Sequence, residues 1–390
     1  MNKIIRIVKI VFTKVFTAII PRDEGVWIIG SWFGKRYADN SRYFYEHLNE
    51  NKIKYKLKKI IWVTDDENII EFIRDSGRLV YKKKSFMSCY YHLRAKVFLY
   101  DQNFEDLNYD FTHGALRINL WHGIPLKKVG YHYKKKNKKS YFQKIIFKFS
   151  SLLITRKMDF ILETSTFSGK LLSTAFGIKT IQGPYPRNEY LIGSINSRLT
   201  QQEGKYLNIL KETNKKIIFY LPTFRDKCDL QFLGTNDVEK QHKVISELDE
   251  LGYILVTKVH YAENNDFNKI SNDNLINLPS DMDVYPFLKI TDILITDYSS
   301  VYYDFLHLNR EIVFLAYDLE YYINDDRGLI LDYDRYTPGE KVYDTDLIVK
   351  TISKIKNKEI DYSIQRLEIK NEVFVSNSLS DFVYRLKCAF

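Results

Sequence analysis

Along this 390-residue chain, small clusters of polar residues follow short apolar runs, and each cluster has residue types suited to phosphate or proton chemistry. Trp121-His122-Gly123-Ile124-Pro125 follows Ile118-Asn119-Leu120. A His at a strand end, followed by Gly and a turn-favouring Pro, projects an imidazole outward. Such a group serves as general base near neutral pH, or caps a loop. Thr223 and Arg225 follow Ile217–Leu221. A guanidinium there suits bidentate phosphate binding, or pairs with Asp226 at the surface. Lys258-Val259-His260 follows Ile254-Leu255-Val256, and alternation puts Lys258 and His260 on one strand face. Together they can neutralise a diphosphate, or they lie at an exposed strand end. Thr296-Asp297-Tyr298-Ser299-Ser300 follows Ile293-Leu294-Ile295 and precedes Val301, Phe305 and Leu308 at helical spacing. That turn places Ser299 and Ser300 where a helix begins, as a phosphate site or as an N-cap.

Other chemistries lack their residues. No G-x-G-x-x-G, P-loop or H-E-x-x-H pattern occurs. Asp281-Met282-Asp283 and Asp332-Tyr333-Asp334 have a spacing common by chance, and no metal ligand is assigned from them. Cys89, Cys228 and Cys388 are isolated, which argues against a disulfide framework or zinc site and fits a reducing compartment.

The elements that must carry these groups alternate. Strands are expected at Val26–Ser31, Lys58–Thr64, Lys96–Tyr100, Ile118–His122 and Phe160–Thr164, with helices such as Tyr43–Asn51 and Asn68–Ser76 between them. The second half repeats the pattern. Lys216–Leu221, Tyr253–Val259, Leu275–Leu278, Ile293–Thr296 and Ile312–Ala316 read as strands, and Val238–Leu251 as a helix. This alternation implies two doubly wound α/β domains with parallel sheets. The polar stretch Ile192–Asn214 divides them. Ligands of such sheets sit beyond the carboxyl ends of the strands, where all the polar clusters fall, so a cleft between two domains is expected.

The formal net charge is +10, so anionic partners are expected. The 30 Tyr and 25 Phe argue against extended disorder. Residues Met1 to Ile20 carry Lys3, Arg6, Lys9 and Lys14, no acid and an apolar face, which reads as an in-plane amphipathic helix rather than a span or signal peptide. Lys127 to Lys148 holds nine lysines interleaved with aromatics, and no acid occurs between Asp110 and Asp159. Lys127, Lys128, Lys134, Lys135 and Lys136 are the expected contacts to an anionic membrane and acceptor. No nucleic-acid-binding module accompanies them, so no nucleic-acid partner is expected.

Taken together, Trp121–Lys128, Pro222-Thr223-Phe224-Arg225, Lys258-x-His260 and Asp292–Ser300 resemble the signature blocks of the CDP-glycerol glycerophosphotransferase family, the teichoic acid and capsule polyol-phosphate transferases. Gly30-Ser31 with Asp39-Asn40, Gly183 to Arg187, Ala316-Tyr317-Asp318, Arg327-Gly328 with Asp332-Tyr333, and Pro338-Gly339 follow in the family's order. Two positions depart from it: Ile124 stands where Thr is frequent, and Tyr261 where Pro is frequent. The resemblance implies a GT-B-like fold of two Rossmann-like domains facing a cleft. Residues 21–195 would form the acceptor and membrane side and 205–375 the CDP-polyol side, with an amphipathic helix over 1–20 and a C-terminal helix over 376–390. It implies transfer of glycerol phosphate or ribitol phosphate from CDP-glycerol or CDP-ribitol to a lipid-linked or polysaccharide acceptor, releasing CMP, with no further cofactor. The protein would sit peripherally on the cytoplasmic face of a bacterial membrane. His122 would be the base, with His260 as second catalytic group. Arg225, Lys258, Thr223, Ser299 and Ser300 would hold the donor phosphates, and Asp297 and Asp304 would orient His260 or a ribose hydroxyl, or cap the helix. A nucleotide-sugar glycosyltransferase and a non-enzymatic membrane scaffold are the alternatives.

Overall fold

The computed structural model describes residues 15–17, 19–133, 158–258 and 272–389. His260 and Lys134, Lys135 and Lys136 lie outside them, as does most of the expected N-terminal helix, of which Val15, Phe16 and Thr17 are helical.

Two parallel sheets organise the chain. The first holds β1 (Asp23–Gly30), β2 (Lys59–Thr64), β3 (Leu79–Lys82), β4 (Ala95–Tyr100), β5 (Leu116–Asn119), β6 (Phe160–Glu163) and β7 (Lys179–Gln182), in the order β3-β2-β1-β4-β5-β6-β7. The second holds β8 (Lys216–Leu221), β9 (Tyr253–Thr257), β10 (Leu275–Asn277), β11 (Ile293–Thr296), β12 (Glu311–Leu315) and β13 (Glu340–Val342), in the order β10-β9-β8-β11-β12-β13. Central strands are largely apolar because helices cover both faces: β9 and β11 are buried at every position. Each sheet reverses strand order once, between β1 and β4 and between β8 and β11. Such a switch point opens a crevice beyond the carboxyl ends of its strands. The doubly wound order thus arises here without the glycine fingerprint of dinucleotide sites.

The halves share a core. One cluster of buried side chains runs from Leu48 and Trp62 through Tyr185 to Leu294, Tyr302 and Phe382. Across the junction Tyr43 stacks on Tyr190 at 4.5 Å and meets Tyr285 edge-on at 5.9 Å. Arg42 binds Glu203 through Nη1 and Nη2 at 2.5 and 3.0 Å and reaches Asp283 at 3.3 Å. The final helix, Leu379–Cys388, crosses back to the first sheet, where Arg385 donates to the Gln182 side chain at 2.8 Å.

Candidate active site

His122 stands just past β5 on a loop whose backbone is held in an unfavourable shape. Trp121 has φ 57° and Gly123 φ 149°. Asn119 Oδ1 accepts from the Trp121 N–H at 2.7 Å, and Asn40 Nδ2 donates to the Trp121 carbonyl at 2.8 Å. The imidazole packs against the Trp121 ring at 4.1 Å, and its Nδ1 lies 3.1 Å from the Asp101 carbonyl oxygen. A carbonyl only accepts, so this contact assigns the proton to Nδ1 and leaves the Nε2 lone pair as the basic site. Burial pushes the His122 pKa down, with Asp39 and the Asp101 carbonyl opposing and Arg187 adding to the fall. The ring is therefore neutral, and able to accept a proton, at pH 7.

Gly123 is required by the second half. A methyl group there would overlap Ser300 Oγ and stand 2.8 Å from Ser300 Cβ. The β5 loop and the β11 loop thus meet tip to tip across the cleft. A cavity of about 210 Å³ opens beside this meeting point, lined by Trp32, Arg36, Asp39, His122 and Arg187 from the first half and by Lys258, Asp283, Ser299, Ser300 and Asp304 from the second. Ser300 makes no side-chain cap to the helix Val301–Phe305, and Ser299 Oγ is only 3.5 Å from the Val301 N–H. Ser300 is therefore not an N-cap, Ser299 makes only that long contact, and both residues line the cavity. Lys258 donates to the Met282 carbonyl, and desolvation first and Arg36 second push its pKa down to about 8.

Other expected contacts are placed differently. Arg225 does not line the cavity. Its Nη1 binds Asp297 at 2.8 Å, and Nε and Nη2 bind Asp318 at 2.7 and 3.0 Å. The phosphate contact expected of it is thus replaced by two buried ion pairs, and the pairing with Asp226 is not formed either, since Asp226 binds Arg327. Burial works against the Arg225 charge, but Asp297 and Asp318 outweigh it and hold the pKa above its usual value. Asp297 also accepts from the backbone N–H of Thr223 and of Tyr298, at 2.8 and 2.5 Å, so it ties the β8 and β11 loops together. Thr223 is 5% exposed with Oγ1 buried and unbonded. Asp304 binds Arg187 Nη2 at 2.8 Å and accepts from Tyr285 Oη at 2.9 Å, while Arg187 Nη1 binds Asp39 at 2.5 Å. Asp304 thus links the halves at the cavity wall, with its Oδ1 buried and unbonded.

Lys127 and Lys128 lie on a stretch that meets the second half. Their backbone runs against the second half, with Lys128 N–H donating to the Gly328 carbonyl at 3.0 Å and Ile330 N–H to the Leu126 carbonyl at 2.9 Å. Lys127 pairs as an isolated bridge with Leu329, and burial, with Arg327 adding, pushes its pKa down to about 8. The β5 loop that carries these lysines is thus hydrogen-bonded to the segment before Leu331.

Asp39, Arg187, Asp101, Trp32 and Arg36 were not assigned from the sequence. Asp39 and Arg187 sit in blocks noted only for their order, and nothing local reveals that they meet. Among the described residues no three His, Cys, Asp or Glu side chains gather as a metal site would require. The Asp281-Met282-Asp283 pattern is spent on Asp283, which accepts from Tyr43 Oη at 2.8 Å, and Asp332 caps the helix Tyr333–Tyr336.

Two doubly wound domains facing a cleft, with a neutral imidazole on one wall and a lysine and two hydroxyls on the other, define a GT-B-like transferase. A family model described as CDP-glycerol:poly(glycerophosphate) glycerophosphotransferase matches residues 13–379, and the chain belongs to that family of enzymes. It is 29% identical over 375 residues to a teichoic acid poly(glycerol phosphate) polymerase of Bacillus spizizenii, covering 93% of this chain and 91% of that protein. It is 27% identical to a teichoic acid glycerol-phosphate transferase of Staphylococcus aureus, covering 85% and 84%, and 25% identical to a teichoic acid ribitol-phosphate primase of B. spizizenii, covering 95% and 93%. The solved structure of the wall teichoic acid polymerase TagF superposes with TM-score 0.72 at 21% identity over 98% of this chain and 92% of that one, which shows the shared fold.

Proposed function

We propose that the protein transfers a polyol phosphate, from CDP-glycerol or CDP-ribitol, to a hydroxyl of a lipid-linked or polyol-phosphate acceptor in teichoic acid synthesis. The observation that carries the reading is the single cavity onto which His122, Lys258, Ser299 and Ser300 all open. The acceptor hydroxyl gives its proton to His122 Nε2. Its oxygen forms a bond to the polyol-bearing phosphorus, the bond from that phosphorus to the bridging oxygen breaks, and CMP leaves with the electron pair. Lys258 and the two serine hydroxyls stabilise charge on the transferring and leaving phosphates, so catalysis is chiefly positioning and electrostatics. His260 and Arg225 belong to the same donor side, Arg225 by holding Asp297 and the β8 and β11 loops in place. Cationic side chains would replace a metal, and activity then survives EDTA; loss on chelation with recovery on adding Mg²⁺ would overturn that part.

Residues 21–195 form the acceptor side and 205–375 the donor side in this reading, with residues 376–390 packing back on the former. No helix among the described residues is long and apolar enough to cross a membrane. Peripheral attachment at the cytoplasmic face through the basic residues of 127–148 and the N-terminal segment completes the proposal. The test is CMP release from CDP-glycerol and from CDP-ribitol with a lipid-linked acceptor. Release with either donor is expected; none with both, alongside thermal stabilisation by a nucleotide sugar instead, would sink the reading.

A further inference from the structure

The first-half wall of the cavity carries an acid with one oxygen that no described residue engages. Asp39 opens the helix Asp39–Glu50 with φ 63°, in the left-handed region. A backbone of that shape persists when its surroundings over-determine it. Asn40, next in the chain and fully buried, donates through Nδ2 to the Leu120 and Trp121 carbonyls at 3.2 and 2.8 Å. Its Oδ1 accepts from the Arg187 N–H at 3.3 Å, and Ser41 Oγ donates to the Gly30 carbonyl at 2.9 Å. One buried amide therefore fixes both the Asp39 turn and the loop that carries His122.

The two carboxylate oxygens of Asp39 differ. Oδ1 accepts from Arg187 Nη1 at 2.5 Å and from the Asn40 N–H at 2.8 Å. Oδ2 accepts no hydrogen bond from the described residues and is not sealed from solvent, and the residue lines the cavity. Arg187 does not cancel the charge, because its Nη2 is bound to Asp304 and one guanidinium serves two carboxylates. That charge reaches the base. Burial pushes the His122 pKa down, and Asp39 is the strongest influence opposing the fall.

An ionised carboxylate only accepts hydrogen bonds. Open to the cavity, Oδ2 repels a phosphate and suits a hydroxyl, which can donate to it. A glycerol or ribitol end carries such a hydroxyl beside the one that attacks. Asp39 belongs to the wall that carries His122, not to the one that carries Lys258, Ser299 and Ser300. We propose that Asp39 Oδ2 accepts a hydrogen bond from the acceptor hydroxyl adjacent to the attacking one, so that the enzyme selects acceptors ending in vicinal hydroxyls. The inference rests on the acceptor and donor division proposed above. One hydroxyl goes to the base and its neighbour to the carboxylate, which makes Asp39 a specificity-determining residue for the acceptor.

The experiment compares two lipid-linked acceptors with CDP-glycerol as donor. One ends in glycerol phosphate, the other in 3-hydroxypropyl phosphate, which keeps the terminal hydroxyl and lacks its neighbour. The wild type should prefer the first by about 10–100-fold in kcat/KM, the usual worth of a hydrogen bond to a charged group. In Asp39→Asn, which keeps Oδ1 for Arg187 and for the Asn40 N–H, that preference should fall toward one. A merely structural role would lower kcat on both acceptors alike and leave their ratio unchanged, and that result would overturn the proposal. A rise in the KM for CDP-glycerol with the acceptor ratio intact would assign Asp39 to the donor and overturn it as well. Should the variant fold poorly, the wild-type comparison decides alone, since equal kcat/KM on the two acceptors excludes the contact. If the wild type releases no CMP with either acceptor, the function itself fails, and the subsite is judged by binding. Synthetic glycerol-phosphate and 3-hydroxypropyl-phosphate oligomers are then titrated against tryptophan fluorescence, because Trp32 lines the cavity and Trp121 packs on His122. The first should bind the wild type about tenfold more tightly; equal affinity would remove the subsite.

Discussion

The two halves share one strand order over six strands, the first adding β7 at its edge, and differ in what surrounds their switch points. In the first half the crevice between β1 and β4 is filled with acids. Asp101 is fully buried, accepts from Ser31 Oγ at 2.9 Å and has its pKa pushed well up by burial, with Asp39 and Asp106 adding to the rise. Asp106 is pushed up to about 6 by burial while backbone N–H groups pull it down. In the second half the crevice between β8 and β11 is organised by Arg225 between Asp297 and Asp318, and its rim offers hydroxyls and Lys258. Duplicated topology therefore supplies two similar crevices with different side-chain charges; in the proposed reading the second holds the donor phosphates and the first supports the base.

The sharpest way to break this contrast is at the base. His122→Ala should lower kcat by about 10²–10⁴-fold, the usual worth of a general base, while the melting temperature stays near wild type; retained turnover would remove His122 from that role. Stability should respond next. Arg225→Ala leaves Asp297 and Asp318 buried without their cation, at a cost of about 3–5 kcal/mol in urea unfolding. Arg187→Ala should cost a similar amount because Asp39 and Asp304 lose theirs, and an effect below about 1 kcal/mol would make these pairs no stronger than surface ones. Gly123→Ala is a smaller perturbation aimed at the meeting of the halves. The added methyl must push the Ser300 loop away, so activity should fall by about 10²-fold, as for a misplacement of about 1 Å, with modest loss of stability. The finest test is pH. Because the His122 pKa is lowered, the acid limb of kcat/KM should lie below the ordinary histidine range. Because Lys258 loses its proton near 8, activity should fall above about that pH. A limb set by Lys258 should move upward in kcat, since bound diphosphate favours the charged lysine.

The buried strands were readable because each is an apolar run ended by polar residues. The three that were not, β3, β7 and β13, are edge strands. In the tetrapeptides of β3 and β7 and the tripeptide of β13 a single residue is buried, which leaves little pattern to see. Those that were found shift by a few residues, β1 starting at Asp23 rather than Val26. The same rule located His122, Lys258, Ser299 and Ser300, since a polar residue just past a strand end is placed by local geometry alone. It located Arg225 and Asp297 too, but not that they pair, since Asp297 and Asp318 lie 72 and 93 residues from Arg225 in the chain.

By itself the sequence determined which residues could reach the cleft, because strand periodicity and strand ends are set within a few residues, and its ordered motifs carried the family. The tertiary structure alone decided which charges remain to act. Asp39 meets Arg187 across 148 residues and Asp304 meets it across 117, so both carboxylates share one guanidinium that no local pattern names. Coulomb interactions depend on distance in space, and in a low-dielectric interior that distance decides whether a charge binds a ligand or holds the fold.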